Sequence, residues 1–569
     1  MASAYDKASL VMLPNAYKDG KLYSVKPEDR TGDFTFTRGS NISATRVNGS
    51  QLIEKGRENL LLQSNAFSTS PWVGSVTETS GQSGYNGTND AWLIENAANG
   101  AYIRQNNTSS GVLTASVYAK AGNVNWLRFA VSNSPVVSVY FDLVNGVSSF
   151  PSNIISETIV SVGNGWYRLS ATFLANSMSG MQFYPADGAN DLGETGDNIF
   201  LQDAQLQQGL VATDYITSGA TTGTAGILEN TPRFDYSNGA SCPSFLLEPS
   251  RLNNILYSEN VTTTWWLKSN VTALDNQGIS PEGLNNAGKI TLTSTGAAVL
   301  YKTSLTIGNG VLSFFAKPGT LSGGRVRISV DGVGAADWNL DGTINSVSGG
   351  TAEGAENYGN GWFRYSYNVP SGSVANYGVQ GGVIGESMLV YGMQVEPNAT
   401  YPTSYIPTYG TSQTRAGEVC GGAGDANTFN STEGVLYAEA KTFSITGSAG
   451  IISLSNGTTS NRVTIELDGA NIKVRFVVGG SSIGIFNYAI NIKETLKIAA
   501  KYKANDFALW VNGTERVAIT SGSSFSNNTL SELSFDRGDG NEIFLGNVKQ
   551  VITFNTALTD TELATLTTL

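Results

Sequence analysis

Five blocks of residues occur twice in this chain, in the same order, and no other feature limits its possible folds so strongly. Glu54-Lys55-Gly56-Arg57-Glu58-Asn59 returns as Glu248-Pro249-Ser250-Arg251-Leu252-Asn253. Leu60-Leu61-Leu62-Gln63-Ser64 answers to Asn254-Ile255-Leu256-Tyr257-Ser258, with Trp72 and Trp265-Trp266 following. The run Gly111 to Lys120 matches Gly310 to Lys317, and Gly163-Asn164-Gly165-Trp166-Tyr167-Arg168 matches Gly359-Asn360-Gly361-Trp362-Phe363-Arg364. Thr213-Asp214-Tyr215-Ile216 pairs with Thr403-Ser404-Tyr405-Ile406. Ordered recurrence of this kind marks a duplicated structural unit. We place its copies at residues 51–219 and 245–411, joined by a linker over 220–244.

Each copy reads as strands. Leu113 to Ala119 and Trp166 to Phe173 alternate apolar and polar residues with period two, and Asn-Gly and Gly-Asn-Gly sit between such runs as tight turns. Charged residues are only 14% of the chain and glycine supplies 65 positions, which suits short strands and turns rather than helices. The expected class is therefore all-β, with two tandem jelly-roll sandwiches. Residues 412–569 form a different β domain, with strands over Val435 to Phe443, Ile451 to Leu454, Val463 to Leu467, Ile472 to Val477, Leu496 to Tyr502 and Phe507 to Val511. Asp468-Gly469 and Asn512-Gly513 mark its hairpins, and Thr559-Asp560-Thr561-Glu562 is a capping box opening one short helix. Residues 1–50 contain Phe34, Phe36 and Val47 in extended patterns without a core of their own, and read as an attachment arm.

Absences exclude several chemistries. There is no histidine, so imidazole-based nucleophile systems are out, and two cysteines cannot build a four-ligand zinc site. Cys242 and Cys420 are expected to be free thiols. The net charge of −12 and the lack of any basic cluster argue against nucleic acid. No run of 18 apolar residues is present, and Met1 to Lys7 lacks the start of a secretory signal, so neither membrane insertion nor classical secretion is expected.

Several stretches resemble known families. Ala204-Gln205-Leu206 to Tyr215-Ile216, and Met393-Gln394-Val395-Glu396 to Tyr405-Ile406-Pro407-Thr408, are similar to the closing strand of jelly-roll carbohydrate-binding modules. Leu13-Pro14-Asn15-Ala16-Tyr17 to Leu22-Tyr23-Ser24, with Ala44 to Asn48 and Leu52-Ile53-Glu54, resembles virion proteins of tailed bacteriophages. Phe544-Leu545-Gly546 to Phe554 and Ala557 to Leu563 are similar to the end of concanavalin A-like, or laminin-G-like, sandwiches. Together these resemblances imply a non-enzymatic head-fibre, tail-fibre, spike or decoration protein of a phage particle, made in the host cytoplasm. They imply that the arm meets other virion proteins, that copies associate (by analogy, as a trimer), and that host surface glycans are contacted, with the terminal sandwich as the recognition tip. A secreted or surface bacterial glycan-binding protein and a capsule depolymerase are the alternatives, and a ligand-free spacer is the plainest one.

The candidate residues follow from the repeat. Trp166 and Trp362 begin strands after tight turns in both copies and read as core. Trp126 and Tyr184 are not shared by both copies and are the candidates for stacking on a sugar. Glu54 with Arg57, and Glu248 with Arg251, recur at each module start and read as structural pairs fixing the junctions. Glu466-Leu467-Asp468 begins the Glu-x-Asp-x-x-Glu pattern of concanavalin-like β-glucanases, but Gly469-Ala470-Asn471 breaks it. Arg537-Gly538-Asp539 lies in a Gly-rich turn and carries no role. No cofactor is expected; calcium is the one ion for which Asp536, Asp539, Asn541 and the Glu194 to Asp197 turn offer oxygen ligands.

Overall fold

A computed structural model describes residues 4–39, 43–443 and 450–569. Its regular structure is all-β apart from two helices among the described residues, Ala4–Lys7 and Asp560–Thr567. The second helix opens on Thr559 with both reciprocal capping bonds to Glu562.

Modules 1 and 2 are jelly-roll sandwiches with closely matching sheets. Module 1 pairs a six-stranded sheet (Val147–Ser152, Val137–Asp142, Trp126–Ser132, Gly180–Ala186, Ile103–Gln105, Trp72–Gly74) with a second six-stranded sheet centred on Gly111–Ala121. Module 2 repeats the plan, with Arg325–Val330 in the place of Trp126–Ser132 and Gly310–Lys317 in the place of Gly111–Ala121. The recurring blocks are the shared fastenings. Asn59 Nδ2 donates to the carbonyls of Ala204 and Ile216, and Asn253 Nδ2 to those of Met393 and Ile406. Trp72 and Trp266 donate through Nε1 to Gln63 and Tyr257 carbonyls, each at 2.9 Å. Ser64–Tyr215 and Ser258–Tyr405 make the same 2.6 Å hydroxyl pair. These bonds satisfy buried polar groups where loops cross the sandwich, which explains why those residues and few others survive in both copies.

The third sandwich is not a C-terminal appendage. Its larger sheet runs Val419–Gly421, Phe34–Thr37, Lys21–Lys26, Ala8–Lys18, Gly546–Phe554, Glu433–Thr442, Leu496–Lys503, Phe507–Val511 and Thr514–Ile519, with Arg233–Asp235 and Ser244–Leu247 joined at Gly546–Phe554. Ala8–Lys18 pairs antiparallel with the last strand of the chain, Val11 opposite Ile552. The expectation of an attachment arm over 1–50 that packs on other proteins is therefore corrected: Leu10, Met12, Leu22, Phe34 and Phe36 lie in the same core as Leu436, Ile452, Phe476 and Val551. Burial of each such side chain is worth about 1.5–3 kcal/mol, which fixes the segment within its own chain's sandwich. The 220–244 segment is likewise more than a linker, because its Phe234 enters that core, and so do Phe245 and Leu247 from the first residues assigned to module 2. Modules 1 and 2 are thus insertions between strands of one sandwich, and residues 412–569 alone lack five strands of its larger sheet.

Two buried ionic clusters tie the insertions to this frame. Glu418 accepts from Arg38 (3.0 Å) and Arg233 (2.7 and 2.5 Å), while Glu248 pairs with Arg233 (2.8 Å) and Arg415 (3.0 Å). Burial pushes the Glu248 carboxyl up, but Arg415 and Arg233 outweigh it and hold it at about 2. In the second cluster, Lys55 inserts its ammonium between Glu259 (2.6 Å) and Glu282 (2.8 Å) of module 2, within 6 Å of the rings of Tyr391, Tyr405 and Tyr409. The expected pairs do not form as Glu54–Arg57 and Glu248–Arg251. Glu54 bonds Arg46 (2.8 Å), Arg57 bonds Glu282, and Arg251 lies over Tyr401. The strand geometry explains this: Glu54 and Arg57 belong to separate short strands with different partners, Thr45–Val47 and Gly223–Ala225.

The modules also touch directly. Val112 N–H donates to the Tyr409 carbonyl at 2.7 Å, and a Cβ on Gly111 would stand 1.8 Å from that oxygen, so only glycine (φ +91°) fits there.

Candidate functional site

Strand alternation divides the first sheet of module 1 into two faces. Leu127, Phe129, Val131, Val137, Val139, Phe141, Met181, Phe183 and Ile103 enter the core. The neighbours between them point outward: Trp126, Arg128 and Ala130 on the middle strand, Ser138, Tyr140 and Asp142 on one side, and Gln182, Tyr184 and Ala186 on the other. Arg104 extends the face from the next strand, opposite Gln182.

Arg128 is its centre. Tyr140 and Tyr184 are its register partners on the two flanking strands, and its guanidinium lies 5.8 Å and 4.8 Å from their ring centroids. Tyr102 packs on Tyr184 from the far side at 4.9 Å, and the Tyr184 hydroxyl donates to Gln182 at 3.2 Å. Burial pushes the Tyr184 phenol above its ordinary value, so it remains a neutral donor. Asp142 points into its own turn, accepting from the backbone N–H groups of Val144 and Asn145 (2.9 Å each). No described carboxylate forms an ion pair with Arg128 or Arg104.

The structure therefore brings Trp126 and Tyr184 to one face, Trp126 lying opposite Ala186, two residues from Tyr184. It does not leave them equivalent. Trp126 is half-buried, whereas Tyr184 is 8% exposed and sandwiched between Tyr102 and Arg128, so it is not the open stacking platform expected. Arg128, Tyr140, Arg104 and Gln182 escaped the sequence reading. The signal was present in the alternation of Trp126-Leu127-Arg128-Phe129 and of Val139-Tyr140-Phe141, which places Arg128 and Tyr140 outward.

The matching face of module 2 keeps the central arginine and differs in what surrounds it. Arg325 replaces Trp126, and Arg327, in the place of Arg128, makes a bidentate pair with Asp337 (2.7 and 2.8 Å). Gly378 stands where module 1 has Tyr184, and a Cβ there would lie 2.2 Å from the Ala298 carbonyl oxygen.

Other expected sites are occupied by internal contacts. Trp166 and Trp362 are buried as expected, but neither joins the core between its module's sheets: Trp166 lies against Tyr85 (6.4 Å), and Trp362 packs with Ile53, Phe315, Tyr391 and Tyr405 at the module junction. Glu466 bonds Arg475 (2.7 Å) and Thr464 (2.8 Å), and Asp468 is held by Lys473, so the two carboxylates of the broken glucanase motif are engaged. Arg537 pairs with Asp539 (2.8 Å) and Glu542 (2.6 Å). Asp536 accepts from the N–H groups of Gly538 and Gly540, and Asp197 from that of Glu194. Among the described residues no group of three or more His, Cys, Asp or Glu is placed to hold a metal. Cys242 is exposed, Cys420 is buried, and both are free. No helix of the described residues is long and apolar enough to cross a membrane. A cleft of about 660 Å³ between the modules is lined by polar side chains such as Glu157, Arg168 and Asn276 and by apolar ones such as Val160, Val162 and Leu210, and its Thr158 and Ser170 hydroxyls bond each other at 2.7 Å.

No protein-family model matches the chain. No curated protein is significantly similar to it. Similar solved structures include the Ruminococcus gnavus IT-sialidase CBM40 bound to α2,3-sialyllactose (17% identity, 26% of this chain and 88% of that one, TM-score 0.22). A CBM22 tandem domain from Paenibacillus barcinonensis is 12% identical over 60% of this chain and 98% of that one, with TM-score 0.19. The LG1-3 region of the laminin α2 chain is 10% identical over 80% and 95%, with TM-score 0.17.

Proposed function

We propose that this protein is a non-catalytic, glycan-contacting component of a phage particle, a fibre, spike or decoration, with the outer face of module 1 as its contact surface. The observation that carries the reading is the pairing of a half-buried tryptophan with an arginine held between two tyrosines, on the copy of the module that leaves this face unclosed. Rings for stacking beside fixed polar groups are what sugar recognition needs. Module 2 and the terminal sandwich serve as frame, since the Arg327–Asp337 pair closes the equivalent face. The engagement of Glu466 and Asp468 in ion pairs supports a binding rather than a hydrolytic role. The virion setting rests on the resemblance of Leu13 to Glu54 and of the jelly-roll closing strands. Display in several copies would turn weak single contacts into useful avidity.

The test is a glycan array probed with the full chain, with Trp126→Ala and Arg325→Ala as controls. Binding that falls at least tenfold with Trp126→Ala and is unchanged with Arg325→Ala supports the reading. Binding that is indifferent to Trp126, or release of new reducing ends from the array sugars, overturns it.

A further inference from the structure

We propose that the sugar contacted by module 1 carries a carboxylate and that Arg128 receives it; this rests on module 1 being the glycan-contacting face. Tyr140 and Tyr184, its register partners on the two flanking strands, hold the half-buried Arg128 guanidinium at 5.8 and 4.8 Å from their ring centroids, and neither supplies a counter-charge. The Arg128 Nε is buried without a hydrogen-bond partner. A planar guanidinium without an internal counter-ion suits the two oxygens of a planar carboxylate.

Acidic residues outnumber basic ones, 46 to 34, yet no described carboxylate pairs with Arg128. Arg104 on the same face is also without an acidic partner, its Nε bonded to Asn106 at 2.8 Å. Module 2 shows how the same position is neutralised from within: Asp337 sits opposite Arg327, at the register position of Tyr140, and takes it with both oxygens. In module 1 an aromatic ring stands at that position and holds the guanidinium without discharging it. Trp126, one step along the strand face, is placed to meet the ring of the same sugar.

The experiment measures binding of the full chain by calorimetry to alginate oligosaccharides (uronic acids) and α2,3-sialyllactose (a nonulosonic acid). The controls are carboxyl-reduced alginate, lactose and dextran sulfate. We expect at least one carboxylated sugar to bind at least tenfold more tightly than its neutral counterpart and than dextran sulfate. Arg128→Gln should abolish that preference, Arg128→Lys should retain only part of it, and Arg327→Gln should leave it intact. Which carboxylated sugar binds identifies the acid. Equal binding of the reduced sugars overturns the carboxylate assignment while the glycan reading stands, and equal binding of dextran sulfate reduces Arg128 to a general anion contact. Binding to none of the sugars overturns both readings. Unchanged preference in a folded Arg128→Gln or Arg128→Lys protein also overturns the assignment.

Discussion

Modules 1 and 2 share their fastenings and differ in what they do with two exposed features, the outer sheet face and the socket beside the second sheet. In module 2 the socket formed by Glu259, Glu282, Phe315, Tyr391 and Tyr405 takes in Ile53 and Lys55 from the segment preceding module 1. In module 1 the corresponding socket closes on itself. Gln202 donates to Asp90 (2.7 Å) and Asn86 (3.3 Å), and Tyr85 stacks on Tyr118 with centroids 3.7 Å apart. The outer faces diverge in the opposite sense: module 2 neutralises its arginine internally, while module 1 frames its own with rings. Duplication has left one copy bound into the frame and the other free to make contacts.

The sharpest test of this division is the socket. Glu282→Ala leaves Lys55 and Arg57 with one buried carboxylate fewer, and removing one partner of a buried pair costs about 3–5 kcal/mol. Asn86→Ala, the equivalent change in module 1, removes only neutral hydrogen bonds and should cost about 1 kcal/mol. Calorimetric unfolding of the two variants measures the difference, and equal losses would show that the sockets play the same part.

A second test addresses the faces. Asp337→Ala frees Arg327 and should cost about 1–2 kcal/mol, because a partly exposed bidentate pair is lost. It should not create glycan binding in module 2, since the backbone at Gly378 has no room for the second ring. Binding gained by this variant would mean that a free arginine suffices and that the aromatic frame of module 1 is incidental.

The smallest expected effect concerns pH. Burial raises the Asp203 carboxyl in module 1 to about 6, and the same bulge in module 2 carries Gly392. The unfolded chain releases this proton near 3.8, so module 1 gives up stability as pH rises from about 3.8 to about 6. Glu248 acts with opposite sign: its contribution is complete above about 4.5 and is lost as pH falls toward 2. Asp203→Gly should remove the first trend and stabilise module 1 at neutral pH by about 0.5–1 kcal/mol, since the residue sits at φ 55°. Melting temperatures taken across pH 3 to 7 check both signs.

Much of this organisation could be read in the chain. The repeat, the strand alternation and the turn at Asn512-Gly513, which links Val511 to its partner Thr514, are local signals and match the sheets found. The role of residues 1–50 was not legible, because the strand that carries Leu10 and Met12 takes its place in the sheet by pairing with Gly546–Phe554 at the other end of the chain, and nothing local states that pairing. The charge partners failed for the same reason: Glu248 and Arg251 are neighbours in sequence, yet Glu248 binds Arg233 and Arg415 across the junction. On the candidate face, comparing copies found Trp126 and Tyr184 because they are unshared. Arg128 was hidden because module 2 also has an arginine at that position, and only the partner, Tyr140 against Asp337, separates them.

Hydrogen–deuterium exchange of the full chain, with and without a saturating glycan that it binds, tests the division most directly. Protection confined to residues 126–142 and 180–186, with 325–338 and 375–380 unchanged, is the expected result. Protection of the module 2 strands, or of the terminal sandwich over 451–489 with module 1 unaffected, would contradict it.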